Sequence, residues 1–214
     1  DTSPLKKQYY TALMECGTKI KIRFGIELGE GLENLSLSEK ILNDETLDFV
    51  IGSAHFLPDL GDFYSLEYTD YQQCHGLIDR YMDELLRLAQ WNTCDVLGHI
   101  TYPLRYMNGR GGIDIDFSSF TEQLEIIFKK LIENGKGIEL NTSNLKYPGG
   151  KTMPPMELLE LYRRCGGEII TLGSDAHRTD HVGSGIPHGY DLLGYAGFKY
   201  FTVFEKRKPQ FIKL

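Results

Sequence analysis

Four short apolar runs in this chain are each followed by a side chain that can bind a metal ion. They occupy residues 24–27, 50–55, 96–99 and 171–177, and the candidate ligands at their ends are Glu27, His55, His99, Asp175 and His177. Runs of this kind are typical of buried parallel strands. In barrel-like α/β folds the C-terminal ends of the strands share one face, where active sites form. The sequence therefore predicts that these distant residues converge on one metal-binding floor.

Composition narrows the class of partner. The 214 residues include 30 acidic and 23 basic side chains, a net charge of −7, and 41% are hydrophobic. These values are ordinary for a globular protein, and we expect residues 1–214 to form a single domain. The acidic balance argues against a nucleic-acid partner or an anionic membrane surface, but it permits a small phosphorylated substrate in a local positive pocket. The oligomeric state cannot be read from the sequence.

Cysteine spacing and hydropathy bear on the compartment. The cysteines show no spacing typical of a redox pair or a zinc knuckle, and they are Cys16, Cys74, Cys94 and Cys165. Such a pattern favours reduced thiols. We recognise no signal peptide and no apolar run of membrane-spanning length, so a cytoplasmic location is expected.

Strand-like and helical patterns alternate along the chain. Strands are predicted at residues 20–27, 48–53, 95–99, 137–141, 168–173 and 200–204. Helices are predicted at residues 71–90, 119–134, 154–165 and 190–196, the second opening with a Ser119–Glu122 capping box. Alternation of this kind predicts an α/β fold with parallel strands joined by helical crossovers. The loops at 57–70 and 147–153 are candidate walls of an active site.

The candidate ligands combine carboxylates with imidazoles. Mixed nitrogen and oxygen ligands suit zinc, iron or manganese better than magnesium or calcium. A single histidine after a strand is more often a structural residue, and Glu27 alone is compatible with a surface carboxylate beside Glu30 and Glu33. Because the same placement recurs on four strands, we favour the metal site over coincidence.

At these positions the sequence resembles the polymerase and histidinol phosphatase (PHP) domain family, and within it the histidinol-phosphatase branch. The resemblance runs from about residue 20 to residue 214. Its most specific parts are the segment 171–178, Thr-Leu-Gly-Ser-Asp-Ala-His-Arg, and the C-terminal stretch 197–209. Further matching segments lie at residues 24–27, 49–56, 95–100, 103–106 and 139–143.

The resemblance implies a distorted (β/α)7 barrel with a trinuclear metal site. Because part of the ligand set is missing here, we expect two or three divalent metal ions (Zn, Fe or Mn). The resemblance also implies that Glu27 bridges metals, that His55 and His99 bind one metal, and that Asp175 and His177 bind the others. The implied reaction is hydrolysis of L-histidinol phosphate to L-histidinol and phosphate in histidine biosynthesis.

One departure from the family pattern is large. The family begins with a strand carrying a His-x-His pair, whereas no histidine precedes His55 here. We therefore expect a PHP-type barrel without its first strand. Because the first residue is Asp1 rather than methionine, an upstream segment is the favoured explanation, and a degenerate relative with a partial site is the other.

Phosphate recognition requires cations beyond the metals. Arg105 and Arg178 are the arginines nearest the predicted floor, and guanidinium groups bind phosphate oxygens bidentately. We expect Asp175, His177 and Arg178 to serve catalysis, and Arg105, Arg178 and Asn141 to bind substrate. A surface role for each arginine remains the alternative. Glu139 and Asn141 are expected either to orient a metal-bound histidine or to contact the substrate.

Three functions are compatible with these features. The first is a phosphomonoesterase acting on histidinol phosphate. The second is another PHP-type hydrolase, such as a protein-tyrosine phosphatase or a nuclease-like enzyme, although the acidic composition disfavours a nucleic-acid substrate. The third is a non-catalytic module that has kept the fold and lost ligands. Because a scaffold alone does not determine chemistry, the choice of substrate rests on the family resemblance.

Overall fold

The computed structural model describes residues 2–214, so Asp1, the first residue of the predicted domain, lies outside the described part. The helices are α1 (Ser3–Cys16), α2 (Leu35–Leu42), α3 (Tyr71–Trp91), α4 (Thr121–Glu133), α5 (Met156–Arg164) and α6 (Ile186–Tyr195). The strands are β1 (Gly25–Gly29), β2 (Phe49–Ser53), β3 (Phe56–Leu57), β4 (Gly61–Asp62), β5 (Val96–Leu97), β6 (Gly137–Asn141), β7 (Ile170–Gly173), β8 (Tyr200–Glu205) and β9 (Lys208–Lys213).

Five strands form one parallel sheet in the order β1-β2-β5-β6-β7. Two antiparallel hairpins, β3-β4 and β8-β9, accompany it. The predicted α/β class with helical crossovers is confirmed. Hydrogen bonding makes this sheet an open array with β1 and β7 at its edges, an arrangement consistent with part of a barrel wall.

The first strand begins later than predicted. Residues 19–24 alternate basic and apolar side chains, which reads as a strand, but pairing starts only at Gly25, opposite Phe49 of β2. Lys21 and Arg23 instead form ion pairs with Glu205 at the end of β8. Residues 3–16, for which no helix was predicted, form α1.

Three helix boundaries also depart from the sequence patterns. Helix α2 was not predicted; its N-terminus is capped by Asn34, whose side chain accepts a hydrogen bond from the Leu37 N–H. Helix α4 lacks the predicted capping box, since a 3₁₀ turn leads into it and no side chain caps it. Helix α6 begins at Ile186, ahead of the predicted residue 190.

The main core lies between the sheet and the inner faces of α3, α4 and α5. Helix α3 is held at its start by Asp70, which accepts a hydrogen bond from the Gln73 N–H at 2.9 Å. Its apolar stripe is buried, and the largest enclosed side chains of the core include Tyr81, Tyr162, Phe120 and Phe128. Each of these phenylalanine side chains contributes about 1.5–3 kcal/mol by leaving water. No helix within residues 2–214 combines the length and the apolar character needed to cross a bilayer.

Two buried aspartates fasten the turn of the β8-β9 hairpin to the N-terminal ends of the sheet strands. Asp48 accepts hydrogen bonds from the backbone N–H groups of Phe24 and Lys206. Asp95, 1% exposed, accepts from the Val50 N–H at 2.8 Å and from Arg207 Nε at 2.5 Å. Because β1, β2 and β5 start at these contacts, the hairpin aligns three strands at one end.

We expect Arg207→Ala to lower the free energy of unfolding by about 2–4 kcal/mol, because it removes the hydrogen-bonded partner of a buried carboxylate. Equilibrium urea denaturation measures the effect. Arg87→Ala serves as the control, since Arg87 pairs with Glu84 on an exposed helix face, where such a pair contributes about 0.5 kcal/mol or less. Equal losses in the two variants would show that the Asp95 contact does not stabilise the fold.

Candidate active site

The sheet brings three predicted metal ligands together at one edge. Glu27 lies within β1, His55 follows β2 by two residues, and His99 follows β5 by two residues. Because these three strands are parallel neighbours, their C-terminal ends meet at the same edge. The donor atoms of the three side chains all lie within 4.8 Å of one another. This part of the predicted ligand set therefore forms a cluster.

The geometry of the cluster fits a divalent metal ion. The two histidine Nε2 atoms are 3.3 Å apart, and Glu27 Oε1 lies 2.9 Å from His99 Nε2 and 3.3 Å from His55 Nε2. Tetrahedral zinc ligands with bonds of about 2.0–2.1 Å lie about 3.3 Å apart. Two imidazole nitrogens and one carboxylate oxygen are also the donor types that zinc, iron and manganese accept.

The same proximity shifts the protonation of the cluster. Burial alone would raise the pKa of Glu27, but hydrogen bonds from His55 and His99 hold it well below its ordinary value. For His55, burial acts to lower the pKa, and hydrogen bonds to Glu27 and Glu30 outweigh it, so the pKa is raised. Without a metal, the cluster is thus an ion pair between the Glu27 carboxylate and a protonated His55.

Glu30 orients His55, a role that the sequence did not reveal. Its Oε1 accepts hydrogen bonds from the His55 backbone N–H at 2.7 Å and lies 3.2 Å from His55 Nδ1. Because Glu30 contacts Nδ1, the other ring nitrogen, Nε2, faces Glu27 and His99. Carboxylates commonly orient metal-binding histidines in this way. Glu30 has φ +53°, a left-handed conformation that costs a non-glycine residue energy. The only sign of this role in the sequence is that Glu30 follows the predicted ligand Glu27 by three residues.

A second group of predicted residues surrounds Ser143. Its hydroxyl lies 3.2 Å from Asp175 Oδ2 and 2.7 Å from Asn141 Oδ1, and it accepts a hydrogen bond from Arg105 at 2.6 Å. Three residues chosen from sequence, Asp175, Asn141 and Arg105, are therefore joined through one hydroxyl. Asn141 is 1% exposed, so it lies at the buried side of this group.

Glu139 connects the two groups. Its Oε2 accepts hydrogen bonds from the His99 backbone N–H at 3.0 Å and from Asn141 Nδ2 at 3.1 Å. Gly173 leaves room for this carboxylate, because a Cβ there would come within 2.5 Å of Glu139 Oε1. Of the two roles expected for Glu139, these contacts correspond to orienting His99, and they act through its backbone.

The side chains of His177 and Arg178 are exposed. His177 Nδ1 is 3.4 Å from Asp175 Oδ1, but its side chain is 80% exposed. Arg178 forms two hydrogen bonds to Asp180, and its side chain is 70% exposed. Within residues 2–214, the set of donor atoms that lie within 4.8 Å of one another comes from Glu27, His55 and His99. It does not include Asp175 or His177.

The aromatic ring of Tyr102 packs against the two histidines of the cluster. The Tyr102 ring lies 5.0 Å from the His55 ring and 5.1 Å from the His99 ring. A π-helical turn (Arg105–Arg110) follows, a conformation often found at functional sites. Arg110 at its end donates to the carbonyl groups of Tyr64 and Leu66, and so fastens the predicted wall at 57–70 to this turn.

The predicted wall at 147–153 is joined by backbone hydrogen bonds to the group of residues around Ser143. Met153 forms a backbone bridge with Asn141, the last residue of β6. The segment therefore borders the Ser143 group.

We expect Glu30→Gly to weaken zinc binding by about 10–100-fold, the range for losing the hydrogen-bond partner of a metal-binding histidine. Glycine accepts a positive φ without strain, so the fold should be retained. Glu30→Gln keeps an acceptor oxygen and should lose less. Competition titration against a chromophoric chelator measures the affinity. Exposed Glu33→Gln is the control, and parental affinity in Glu30→Gly would contradict the orienting role.

Metal binding is expected to release protons near pH 7. The raised pKa of His55 keeps it protonated in the metal-free protein, whereas a ligand imidazole must be neutral. Metal affinity should therefore increase with pH as long as the pH is below this pKa. Calorimetric titration with zinc in two buffers of different ionisation enthalpy counts the protons. The count should fall in His55→Gln, and heats independent of the buffer would contradict the prediction.

Comparison with known proteins gives named relatives. A protein of Thermotoga maritima named probable histidinol-phosphatase is 30% identical over 193 residues, which are 85% of this chain and 79% of that protein. The histidinol-phosphatase of Lactococcus lactis subsp. lactis is 28% identical over 198 residues, covering 89% of this chain and 70% of that protein.

Structural and family comparisons agree with these relatives. The crystal structure of histidinol phosphate phosphatase from Lactococcus lactis subsp. lactis, complexed with zinc, L-histidinol and phosphate, matches with a TM-score of 0.79. The match covers 98% of this chain and 80% of that one at 24% identity, which confirms the PHP-type fold expected from sequence. The PHP domain family profile matches residues 6–143, and the chain therefore belongs to the PHP domain family.

Proposed function

We propose that this protein is a metal-dependent phosphomonoesterase that hydrolyses L-histidinol phosphate to L-histidinol and phosphate in histidine biosynthesis. The observation that carries the proposal is the convergence of Glu27, His55 and His99 at the sheet edge, in a geometry that suits a divalent ion. The names of the relatives supply the substrate. A cytoplasmic location is part of the proposal, and the unpaired state of all four cysteines supports it.

In this proposal, Glu27, His55 and His99 hold the first of two or three divalent ions, with zinc, iron or manganese as the candidates. Asp175 and His177 would hold the remaining ions, and their Oδ1 and Nδ1 atoms are 3.4 Å apart. When bound, such ions would supply an acidified water and positive charge for the phosphoryl oxygens. The solved relative with zinc, histidinol and phosphate is the precedent for this choice of ligand.

The protein's own residues position the substrate. Arg105 binds phosphate oxygens in this proposal. Its guanidinium donates to the Ser143 hydroxyl, which also contacts the proposed metal ligand Asp175, so the guanidinium lies beside the site where a phosphate would bind metal. Arg178 reaches the phosphate by exchanging its contact with exposed Asp180, a pair that costs little to break. Asn141 supports Arg105 through the Ser143 hydroxyl. A direct contact between Asn141 and the substrate would require its present partners to move.

The environment of the cluster favours charge stabilisation. His99 is 4% exposed and Tyr102 is 8% exposed, so one side of the site is shielded from solvent. Electrostatic interactions between the protein and a phosphoryl group are stronger in such surroundings than in water. Glu30 and Glu139 add to this by fixing His55 and the backbone of His99 before substrate arrives.

The direct test is phosphate release by the purified protein after loading with manganese, iron or zinc. We expect histidinol phosphate to be turned over with a higher kcat/KM than p-nitrophenyl phosphate, and a chelator to abolish turnover until metal is restored. His99→Ala should lose the ion held by Glu27, His55 and His99, and with it the activity. His188→Ala, at an exposed histidine outside the cluster, is the matched control and should retain both.

Two other outcomes would replace this proposal. Equal kcat/KM for a phosphotyrosine peptide and for histidinol phosphate would indicate a broader PHP-type phosphatase. Stoichiometric metal binding without hydrolysis of any of these esters would indicate a binding module that has lost catalysis.

A further inference from the structure

Ser143 lies at a junction between the residues proposed to bind phosphate and those proposed to bind metal. It opens the 3₁₀ turn Ser143–Lys146 directly after β6, and it is 5% exposed. Its hydroxyl contacts Arg105 at 2.6 Å, Asn141 at 2.7 Å and Asp175 at 3.2 Å. No catalytic or binding role has been given to this serine so far.

The hydrogen-bond inventory of this hydroxyl determines the direction of each contact. A serine hydroxyl carries one proton and two lone pairs, and a guanidinium can only donate. The oxygen therefore accepts from Arg105, and its single proton goes to Asn141 Oδ1 or to Asp175 Oδ2. Asn141 Oδ1 also accepts the Ser143 backbone N–H at 2.9 Å, so it remains satisfied when the proton turns to Asp175.

Arg105 retains an unused donor in this arrangement. Its Nε is buried and has no hydrogen-bond partner within residues 2–214, although its guanidinium packs over the Tyr102 ring at 5.8 Å. A buried donor without an acceptor is unfavourable, and an anionic ligand would supply the acceptor that it lacks. The guanidinium is thus held from two sides, by Tyr102 and by Ser143, with a donor still available.

We infer that Ser143 is a positioning residue, which sets the guanidinium of Arg105 beside the carboxylate of Asp175 so that one phosphate group can contact Arg105 and a metal held by Asp175 together. The inference rests on the proposed function. It adds a specific role for the Ser143 hydroxyl, which would act through Arg105 rather than by contacting the phosphate or the three-ligand cluster. An aliphatic side chain at 143 would leave Arg105 without its fixed acceptor.

The test is a double-mutant cycle on phosphate binding by the full chain saturated with zinc. Calorimetry gives the Kd for inorganic phosphate in the parent, Ser143→Ala, Arg105→Ala and the double variant. We expect Ser143→Ala to weaken binding about tenfold, as for losing a hydrogen bond to a charged group. The same serine change should have almost no effect once Arg105 is absent, because the two act as a unit.

Two further variants separate positioning from general stability. Ser143→Thr keeps the hydroxyl and should bind phosphate within about twofold of the parent, since the hydrogen bond is preserved. Thr202→Val is the matched control: it removes a buried hydroxyl that accepts the Ile170 N–H at the opposite end of β7. This control should lower thermal stability without changing phosphate affinity. If Ser143→Ala does not fold, Ser143→Cys removes the strong acceptor at similar volume and enters the same cycle.

The outcomes distinguish this inference from the proposed function. An equal effect of Ser143→Ala with and without Arg105, or a loss in Ser143→Thr as large as in Ser143→Ala, would overturn the positioning role. Failure of the parent to hydrolyse histidinol phosphate, together with intact coupling in phosphate binding, would remove the substrate assignment and leave the positioning role in place.

Discussion

Parallel pairing of β1, β2, β5, β6 and β7 is the constraint on which the rest of the structure depends. In a parallel sheet, all strands end at the same edge, so residues that follow different strands become neighbours. His55, His99 and Asp175 each lie two residues beyond the end of a strand, on β2, β5 and β7 respectively. The chain positions these side chains by repeating one local arrangement.

Two carboxylates, those of buried Glu139 and half-buried Glu30, make that arrangement rigid. Glu139 accepts a hydrogen bond from the His99 backbone, and Glu30 accepts from the His55 backbone and lies beside its ring. Such carboxylates are costly to bury, and they remain because donors from neighbouring strands satisfy them. The desolvation that makes this expensive also raises the pKa of Glu139. The site is therefore built on polar contacts that tolerate little displacement.

The sequence predicted much of this and missed parts for physical reasons. Apolar runs identified β2, β6 and the buried face of α3, because burial leaves a periodic record in composition. The runs also led to Glu27, His55 and His99 as a group. Residues 3–16 were not recognised as a helix because α1 has no buried residue and therefore no strong apolar stripe. Glu30 and Ser143 were missed as individual residues because their roles come from contacts with residues distant in the chain. The exposure of Arg178 likewise depends on a loop conformation that sequence does not determine.

The fastening of the β8-β9 turn has a consequence for engineering. Asp48 and Asp95 lie at the N-terminal ends of the strands, where they hold the turn that carries Arg207, whereas the predicted metal ligands of the cluster lie toward the C-terminal ends. The contacts that hold the hairpin and the predicted metal ligands thus lie at opposite ends of the same three strands, β1, β2 and β5. Lys206 and Arg207 both have positive φ, at 48° and 62°, so the turn carries backbone strain that a glycine at 206 would relieve. A more robust scaffold can in this way be obtained far from the substrate, leaving the opposite edge free to diversify.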